Sequence, residues 1–367
     1  MAVSRRPDLT GSPLAPRTAG LLGRRRLFQA GALLLAGGPA LVACGSSDGE
    51  AGPAASGGAA DYGDLSIQLS WIKNIEFGGE YFAIEKGYYA AAGFSAVTLV
   101  AGPTSAESAV ASGKSLVGLS APPTTAAAIG EGAPLKIIGA TFQKNPFCIT
   151  SLAKTPITTP QDMIGKKIGV QASNTSIFEG LLQANKIDKS ALTIVPVQFD
   201  PTVLTTGDVQ GFVSYLTNEP ITLAAAGNEV VTFSFAENGL PLVAETFTVL
   251  QETIDQDRDK LKAYLTAEIK GWKDAIADPA GTAKLAVEKY GKDQKLEVGE
   301  QTKEAEAQNK LITSADTDQN GLFTMTDALI AENIEALGRS GVTITADKIF
   351  DLSLLKEIYA ADASLIK

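Results

Sequence analysis

From Leu65 onward, short apolar runs alternate with longer stretches in which apolar residues recur at helical spacing. Leu65–Leu69, Ala96–Val100, Leu116–Leu119 and Leu135–Ala140 read as strands, and Gly79–Tyr89, Ala106–Ser112 and Pro122–Gly130 read as the helices between them. The pattern restarts after Pro146–Leu152. A helix over Pro160–Ile164 precedes strand Lys167–Val170, helix Ser176–Asn185 and strand Leu192–Val197, and strands Gly211–Tyr215 and Val230–Phe235 follow. Beyond Asp257 the character changes. Asp259–Ala277, Pro279–Tyr290, Lys303–Ile312, Thr326–Leu337 and Leu352–Ala361 all carry helical periodicity. Strands this short, with helices between them, predict parallel βαβ units covered on both faces. The expected fold class is therefore α/β: two α/β lobes with a cleft between them and a helical C-terminal region. Residues 64–150 plus 238–367 are assigned to lobe I and 151–237 to lobe II. Ligands of open α/β sheets bind beyond the carboxyl ends of the strands, so the loops after strands are where function is sought.

The first 63 residues have a different organisation. Arg24-Arg25-Arg26-Leu27-Phe28 precedes an apolar run from Ala30 to Ala43, the layout of an export signal. That run contains Gly31, Gly37, Gly38 and Pro39 and is shorter than the roughly 20 residues a spanning helix needs. It ends in Leu41-Val42-Ala43-Cys44-Gly45, which resembles the bacterial lipobox and implies lipidation of Cys44 after cleavage. The arginines before Leu27-Phe28 resemble a twin-arginine signal, which implies export of an already folded chain. Residues 1–43 are thus expected to be a signal peptide. Residues 44–63, rich in Gly, Ser and Ala, are expected to be a flexible tether. The predicted location is the extracytoplasmic face of the cell membrane, reached through a lipid anchor alone.

Composition narrows the chemistry. The chain has two Cys, so lipidation of Cys44 leaves Cys148 without a partner, in an apolar stretch where a free Cys packs as a small hydrophobe. It has no His, which removes the commonest general base and the commonest metal ligand. Of 31 basic and 41 acidic residues, 25 and 40 lie beyond residue 43, a net charge of −15. A surface of that sign repels nucleic acid and anionic lipid. No catalysis and no cofactor are expected.

One segment is more specific. Leu69-Ser-Trp71-Ile-Lys-Asn74-Ile-Glu76-Phe77-Gly-Gly-Glu-Tyr81 leads into a helix ending Glu85-Lys86-Gly87-Tyr88-Tyr89, with Gly93-Phe94 beyond. This stretch resembles the opening of the NMT1/THI5-like solute-binding family. So do Gly118-Leu-Ser120, Phe142-Gln143-Lys144-Asn145-Pro146-Phe147, Asp162-Met-Ile-Gly165-Lys166-Lys167-Ile168-Gly169-Val170 and Phe212-Val213-Ser214-Tyr215-Leu-Thr-Asn218-Glu219-Pro220. The resemblance covers roughly Leu65 to Gly341. It implies a type II periplasmic-binding-protein fold and a solute-binding role beside a partner ABC permease and its ATPase, and a monomer is expected. Members bind thiamine pyrimidine precursors, riboflavin, nitrate or sulfonates. A eukaryotic branch that makes the pyrimidine uses an active-site His and a Cys-rich motif, both missing from this sequence. Glu76-Phe77 also replaces the His that pyrimidine-precursor binders carry near the Asn.

The candidate ligand residues are Trp71, Asn74, Glu76, Phe77, Ser120, Gln143, Ser173, Asn174, Thr175, Tyr215, Asn218 and Glu219. Trp71 follows a strand directly and could present a flat face to a planar ring or pack beneath the first helix. Asn74 and Glu76 could hydrogen-bond ring amides. Phe77 and Tyr81 lie at helical spacing, which points one of them to the core. Ser173-Asn174-Thr175 opens a helix, where capping and anion binding are both available. Tyr215, Asn218 and Glu219 enter a helix with Pro220 in its first turn. Beyond residue 43 the chain holds only Arg258 and Arg339, both in the helical tail. Without an Arg fork near the post-strand loops, a ring compound ranks above a sulfonate or nitrate ion as ligand. Asp316-Thr-Asp318-Gln-Asn320-Gly321 with Asp327 has calcium-loop spacing, although Asp stands in the last position where Glu is usual. The other reading is a polar loop capping the helix that begins near Thr326, and no metal is expected.

Overall fold

A computed structural model of the chain describes residues 60–102 and 104–367. The expected signal peptide, Cys44 and most of the expected tether lie outside the described residues.

Two five-stranded sheets make up the architecture. The first contains β1 (Gly63–Gln68), β2 (Phe94–Val100), β3 (Val117–Ser120), β4 (Leu135–Phe142) and β10 (Ala244–Leu250), in the order β2-β1-β3-β10-β4. The second contains β5 (Phe147–Leu152), β6 (Lys167–Gln171), β7 (Thr193–Val197), β8 (Gly211–Tyr215) and β9 (Val230–Ser234), in the order β7-β6-β8-β5-β9. These are the two α/β lobes. Parallel pairing joins β1 to β2 and β3, and β6 to β7 and β8. One strand in each sheet runs the other way: β10 is antiparallel to β3 and β4, and β5 is antiparallel to β8 and β9. Both reversed strands come directly after the chain has crossed between sheets. A chain leaving the carboxyl end of one sheet enters the next at that same end, so its first strand there must run back.

Two placements in the sheets differ from expectation. The segment Ala244–Leu250 is a strand, and it lies at the centre of the first sheet's antiparallel pairing. All of β5 belongs to the second sheet, so the division between sheets falls before Phe147 rather than at residue 150.

The first lobe is closed by the helices Gly78–Glu85 and Arg258–Ala277, which cross at glycines. A Cβ at Gly79 would lie 2.1 Å from Trp272 Cδ1, and one at Gly271 would lie 2.2 Å from the Gly79 carbonyl oxygen. Trp272, Tyr81, Tyr89, Tyr264 and Phe247 fill the core beneath that crossing. In the second lobe Ile168, Val170, Phe178, Leu181 and Val213 form the core. Leu337 joins them from the tail helix Asp327–Arg339, so the helical tail serves both lobes. The stretch with calcium-loop spacing folds as a helix, Ala315–Asn320, because Ser314 and Thr317 form a reciprocal cap at its start. Thr326 then caps the following helix through Leu329 N at 3.2 Å.

Candidate functional site

The carboxyl ends of the parallel strands of both sheets face each other across the cleft. β1 delivers Ser70 and Trp71, β3 ends in Ser120, β6 leads to Ser173 and Asn174, and β8 ends in Tyr215 followed by Asn218 and Glu219. The two reversed strands contribute from their amino ends. Thr246 pairs with Ser120 and Phe147 pairs with Tyr215, which brings Glu245 and Phe147 to the same rim.

The cleft holds two contiguous chambers. The first, about 310 Å³ including its open mouth, is lined by Trp71, Glu76, Asn174, Tyr215, Asn218 and Glu219 among others. The second, about 810 Å³ including its open mouth, extends past Glu107, Ser120, Ser173, Phe147 and Glu245. Ser70, Asn174 and Tyr215 line both and mark the junction.

Glu245 organises that junction. Its carboxylate accepts from Ser70 Oγ at 2.8 and 3.0 Å and from the Tyr215 hydroxyl at 2.9 Å. Its backbone is left-handed, with φ +47°, which costs a residue other than Gly on the order of 1–3 kcal/mol. The sheet holds it there, and the side chain turns into the cleft. The Tyr215 ring is wedged edge-on against Phe147, centroids 4.6 Å apart. Trp71 meets Phe199 edge-on at 6.2 Å, an aromatic contact between the loop after β1 and the loop after β7.

Carboxyl groups dominate the electrostatics. Burial pushes Glu76 well above the usual carboxylate range, and the negative charge of Glu245 adds to the shift. Burial also raises Glu245, offset by hydrogen bonds from Glu76, Ser70 and Tyr215. Burial beside the Glu245 carboxylate therefore favours the neutral form of Glu76. Burial raises Glu219 to about 7, although the Tyr215 N–H donates to its Oε2 at 2.9 Å. Behind them Glu304 is pushed to about 8, first by burial and then by the charge of Glu219. Gln301 donates to Glu304 at 2.8 Å and accepts from Ile75 N at 2.9 Å, which ties the tail helix Val298–Ile312 to the turn carrying Glu76. Among the described residues lining the two chambers there is no Lys or Arg, and Lys73 and Lys144 line neither.

The remaining candidates take other positions. Asn74 is buried and caps its own turn, accepting from Glu76 N at 3.0 Å. Phe77 is fully buried in the first core. Gln143 turns back to the Ala140 carbonyl at 3.0 Å. Thr175 donates to the Ala172 carbonyl at 3.1 Å and opens the helix Thr175–Ala184. Cys148 is buried in β5, and burial pushes its thiol far above the usual range. Sequence reasoning missed Ser70, Glu107 and Glu245. Glu245 could have been found: Thr246-Phe-Thr-Val249 is entirely β-branched or aromatic, the composition of a strand.

Two curated relatives share part of this chain. The riboflavin-binding protein RibY of Chloroflexus aurantiacus is 26% identical over 231 residues, covering 59% of this chain and 63% of that protein. The formylaminopyrimidine-binding protein of Halalkalibacterium halodurans is 23% identical over 221 residues, covering 59% and 67%. The match thus spans less than two thirds of the length of the riboflavin-binding relative. The periplasmic nitrate-binding protein of Synechocystis PCC 6803 superposes with a TM-score of 0.60 at 13% identity, covering 83% of this chain and 91% of its own. At that identity the likeness concerns the fold, which is that of periplasmic binding proteins. The family model described as NMT1/THI5 like matches residues 74–282, more than half of the chain, and the chain belongs to that family.

Proposed function

We propose that this protein is the extracytoplasmic solute-binding component of an ABC importer. It captures a small ring-containing solute, akin to riboflavin or a thiamine pyrimidine precursor, and catalyses no reaction. One observation carries the reading: Glu76 and Glu219 line a chamber walled by Trp71 and Tyr215, Glu245 lies at its junction with the second chamber, and neither chamber has Lys or Arg among its described lining residues. Buried carboxyl groups accept hydrogen bonds from ring N–H groups and exocyclic amines, and neutral Glu76 donates to a ring nitrogen or carbonyl. The aromatic faces supply area for a planar ring. An oxyanion in the same place would meet acidic side chains without a cation to offset them.

Capture proceeds by lobe closure. The solute stacks on one lobe, the other rotates in to complete the hydrogen bonds, and the permease recognises the closed form. The protein acts as a monomer held to the membrane by lipid on Cys44. The curated relatives, named for binding riboflavin and formylaminopyrimidine, support the ring over the oxyanion. A thermal-shift panel of riboflavin, an aminopyrimidine, an alkanesulfonate and nitrate tests the reading. A ring compound should raise Tm by several degrees and be recovered unchanged. Stabilisation by nitrate or the sulfonate alone would overturn it.

A further inference from the structure

The tail helix Val298–Ile312 carries a buried polar stripe. Its apolar side, with Ala305 and Ile312, packs into the first core. Gln301, Glu304 and Gln308 stand three and four residues apart, so they share one helix face, and all three are buried. Burying such a stripe costs free energy unless each group finds a partner. Here the partners come from both lobes. Gln301 accepts from Ile75 N at 2.9 Å and Gln308 donates to the Ile75 carbonyl at 3.0 Å, which fixes the turn carrying Glu76 in the first lobe. Glu304 Oε2 accepts from Gln301 at 2.8 Å, and its Oε1 accepts from the Thr222 hydroxyl at 3.3 Å. Thr222 lies one turn beyond Glu219 on the helix Glu219–Ala225 of the second lobe. Glu304 lines neither chamber, yet it is where the tail helix meets that lobe.

We propose that Glu304 is a positioning residue that makes lobe closure take up a proton: the closed form holds Glu304 neutral against the second lobe, and its ionisation opens the cleft. This presupposes capture by lobe closure. The charges that act on Glu304 are all negative: Glu219 on the facing helix, Glu76 on the turn Ile75–Phe77 and Glu300 on its own helix. None of the four takes part in a salt bridge among the described residues. The other elements packed on this helix direct their charges elsewhere. Lys284, Glu288 and Lys289 are exposed, Lys273 reaches the Lys367 carbonyl, Asp274 accepts from Tyr88, and Lys136 reaches the Asp347 carbonyl. Two carboxylates buried together without a cation repel each other. A proton on Glu304 removes that repulsion and lets it donate to Thr222 Oγ1. Burial, and then the charge of Glu219, accordingly pushes Glu304 to about 8, and burial pushes Glu219 to about 7. Opening the cleft lets water reach both groups and returns them towards the ordinary 4.5. The closed form then holds more protons between roughly pH 4.5 and 8, so closure is favoured on the acid side and is lost as pH rises through about 8.

The test is calorimetric titration of the full chain in mild detergent with riboflavin, in phosphate and in Tris, whose different ionisation heats count the protons exchanged. At about pH 7 binding should take up roughly one proton, and affinity should fall at least about tenfold between about pH 7 and about pH 9. Glu304→Gln, which keeps the shape of the neutral acid, should lower the uptake by most of a proton and leave a fall of about threefold or less. Glu268→Gln, in the first core, should behave as the wild type does. No proton uptake by the wild type, which needs no variant to measure, would overturn the inference. So would an equal uptake and an equal fall in Glu304→Gln. If riboflavin gives no heat, the choice of solute is wrong and the distance between lobes decides instead. Spin labels placed through Lys114→Cys and Thr206→Cys, exposed positions on the first and second lobes, read that distance in the absence of solute. The wild type should shift towards the short distance from about pH 9 to about pH 6, and Glu304→Gln should hold the short distance at both. A wild-type distance unchanged by pH would then overturn the inference.

Discussion

The Tyr215 hydroxyl donates to Glu245 Oε1 at 2.9 Å, and this bond joins the second sheet to the first across the cleft. It connects the carboxyl end of β8 to the amino end of β10, so it forms only when the lobes are together. Hydrogen bonds to charged groups contribute about 1.5–3 kcal/mol. Tyr215→Phe keeps the ring that packs on Phe147 and removes the bond. We expect the solute to leave at least about tenfold faster from this variant in stopped-flow experiments. An unchanged off-rate would show that the bond does not hold the closed form.

Trp71 makes a second contact between lobes, through Phe199. Trp71→Ala should lower affinity for the ring solute by about 1–3 kcal/mol, the range of a lost aromatic contact and its area. Ligand should also quench Trp71 fluorescence and leave Trp272, buried beneath the helix crossing, nearly unchanged. A Trp71→Phe variant still fully quenched by ligand would argue against stacking at this position.

The sequence made most of this cleft legible, for a physical reason. Parallel βαβ units place their post-strand loops at one end, so Trp71, Glu76, Asn174, Tyr215, Asn218 and Glu219 could be picked from strand positions alone, and all line the first chamber. Periodicity does not reveal a reversed strand. β10 runs against its neighbours, so Glu245 reaches the site at the start of its strand, where a search of strand ends does not look. Nor does local pattern show which side chains their own backbone consumes, as with Asn74 and Gln143. The break at Gly87, which splits the expected helix Gly79–Tyr89, follows from a left-handed φ of +71°.

Buried carboxyl groups set a pH dependence of stability. Glu219 and Glu268 are raised to about 7, and Glu304 to about 8, in each case chiefly by burial. Folded-state values above the ordinary 4.5 mean that the folded chain holds more protons than the unfolded chain between roughly pH 4.5 and 8. Stability therefore falls as pH rises through that window. Glu268 lies in the first core, where Tyr89 donates to it and Glu80 and Tyr264 face it, away from the solute. Glu268→Gln should raise stability near pH 8 by on the order of 1–3 kcal/mol and change it little near pH 5. Denaturant melts at both pH values measure this. An equal change at both would show that proton binding at Glu268 does not contribute.

Lipidation of Cys44 is the proposed link to the membrane. Cys44→Ser should leave an unprocessed or soluble chain and remove the protein from the detergent phase on fractionation. Unchanged partitioning of the variant would contradict the anchor.

The central claim is that a carboxylate-lined aromatic chamber selects a ring compound rather than an oxyanion. Isothermal titration of the purified protein with riboflavin, an aminopyrimidine, an alkanesulfonate and nitrate, each at low and at high salt, tests it most directly. The account predicts saturable one-to-one binding of a ring compound, with affinity that changes little as salt screens exposed charges. Tight binding of the sulfonate or nitrate that weakens steeply with salt, with no heat from any ring compound, would contradict it.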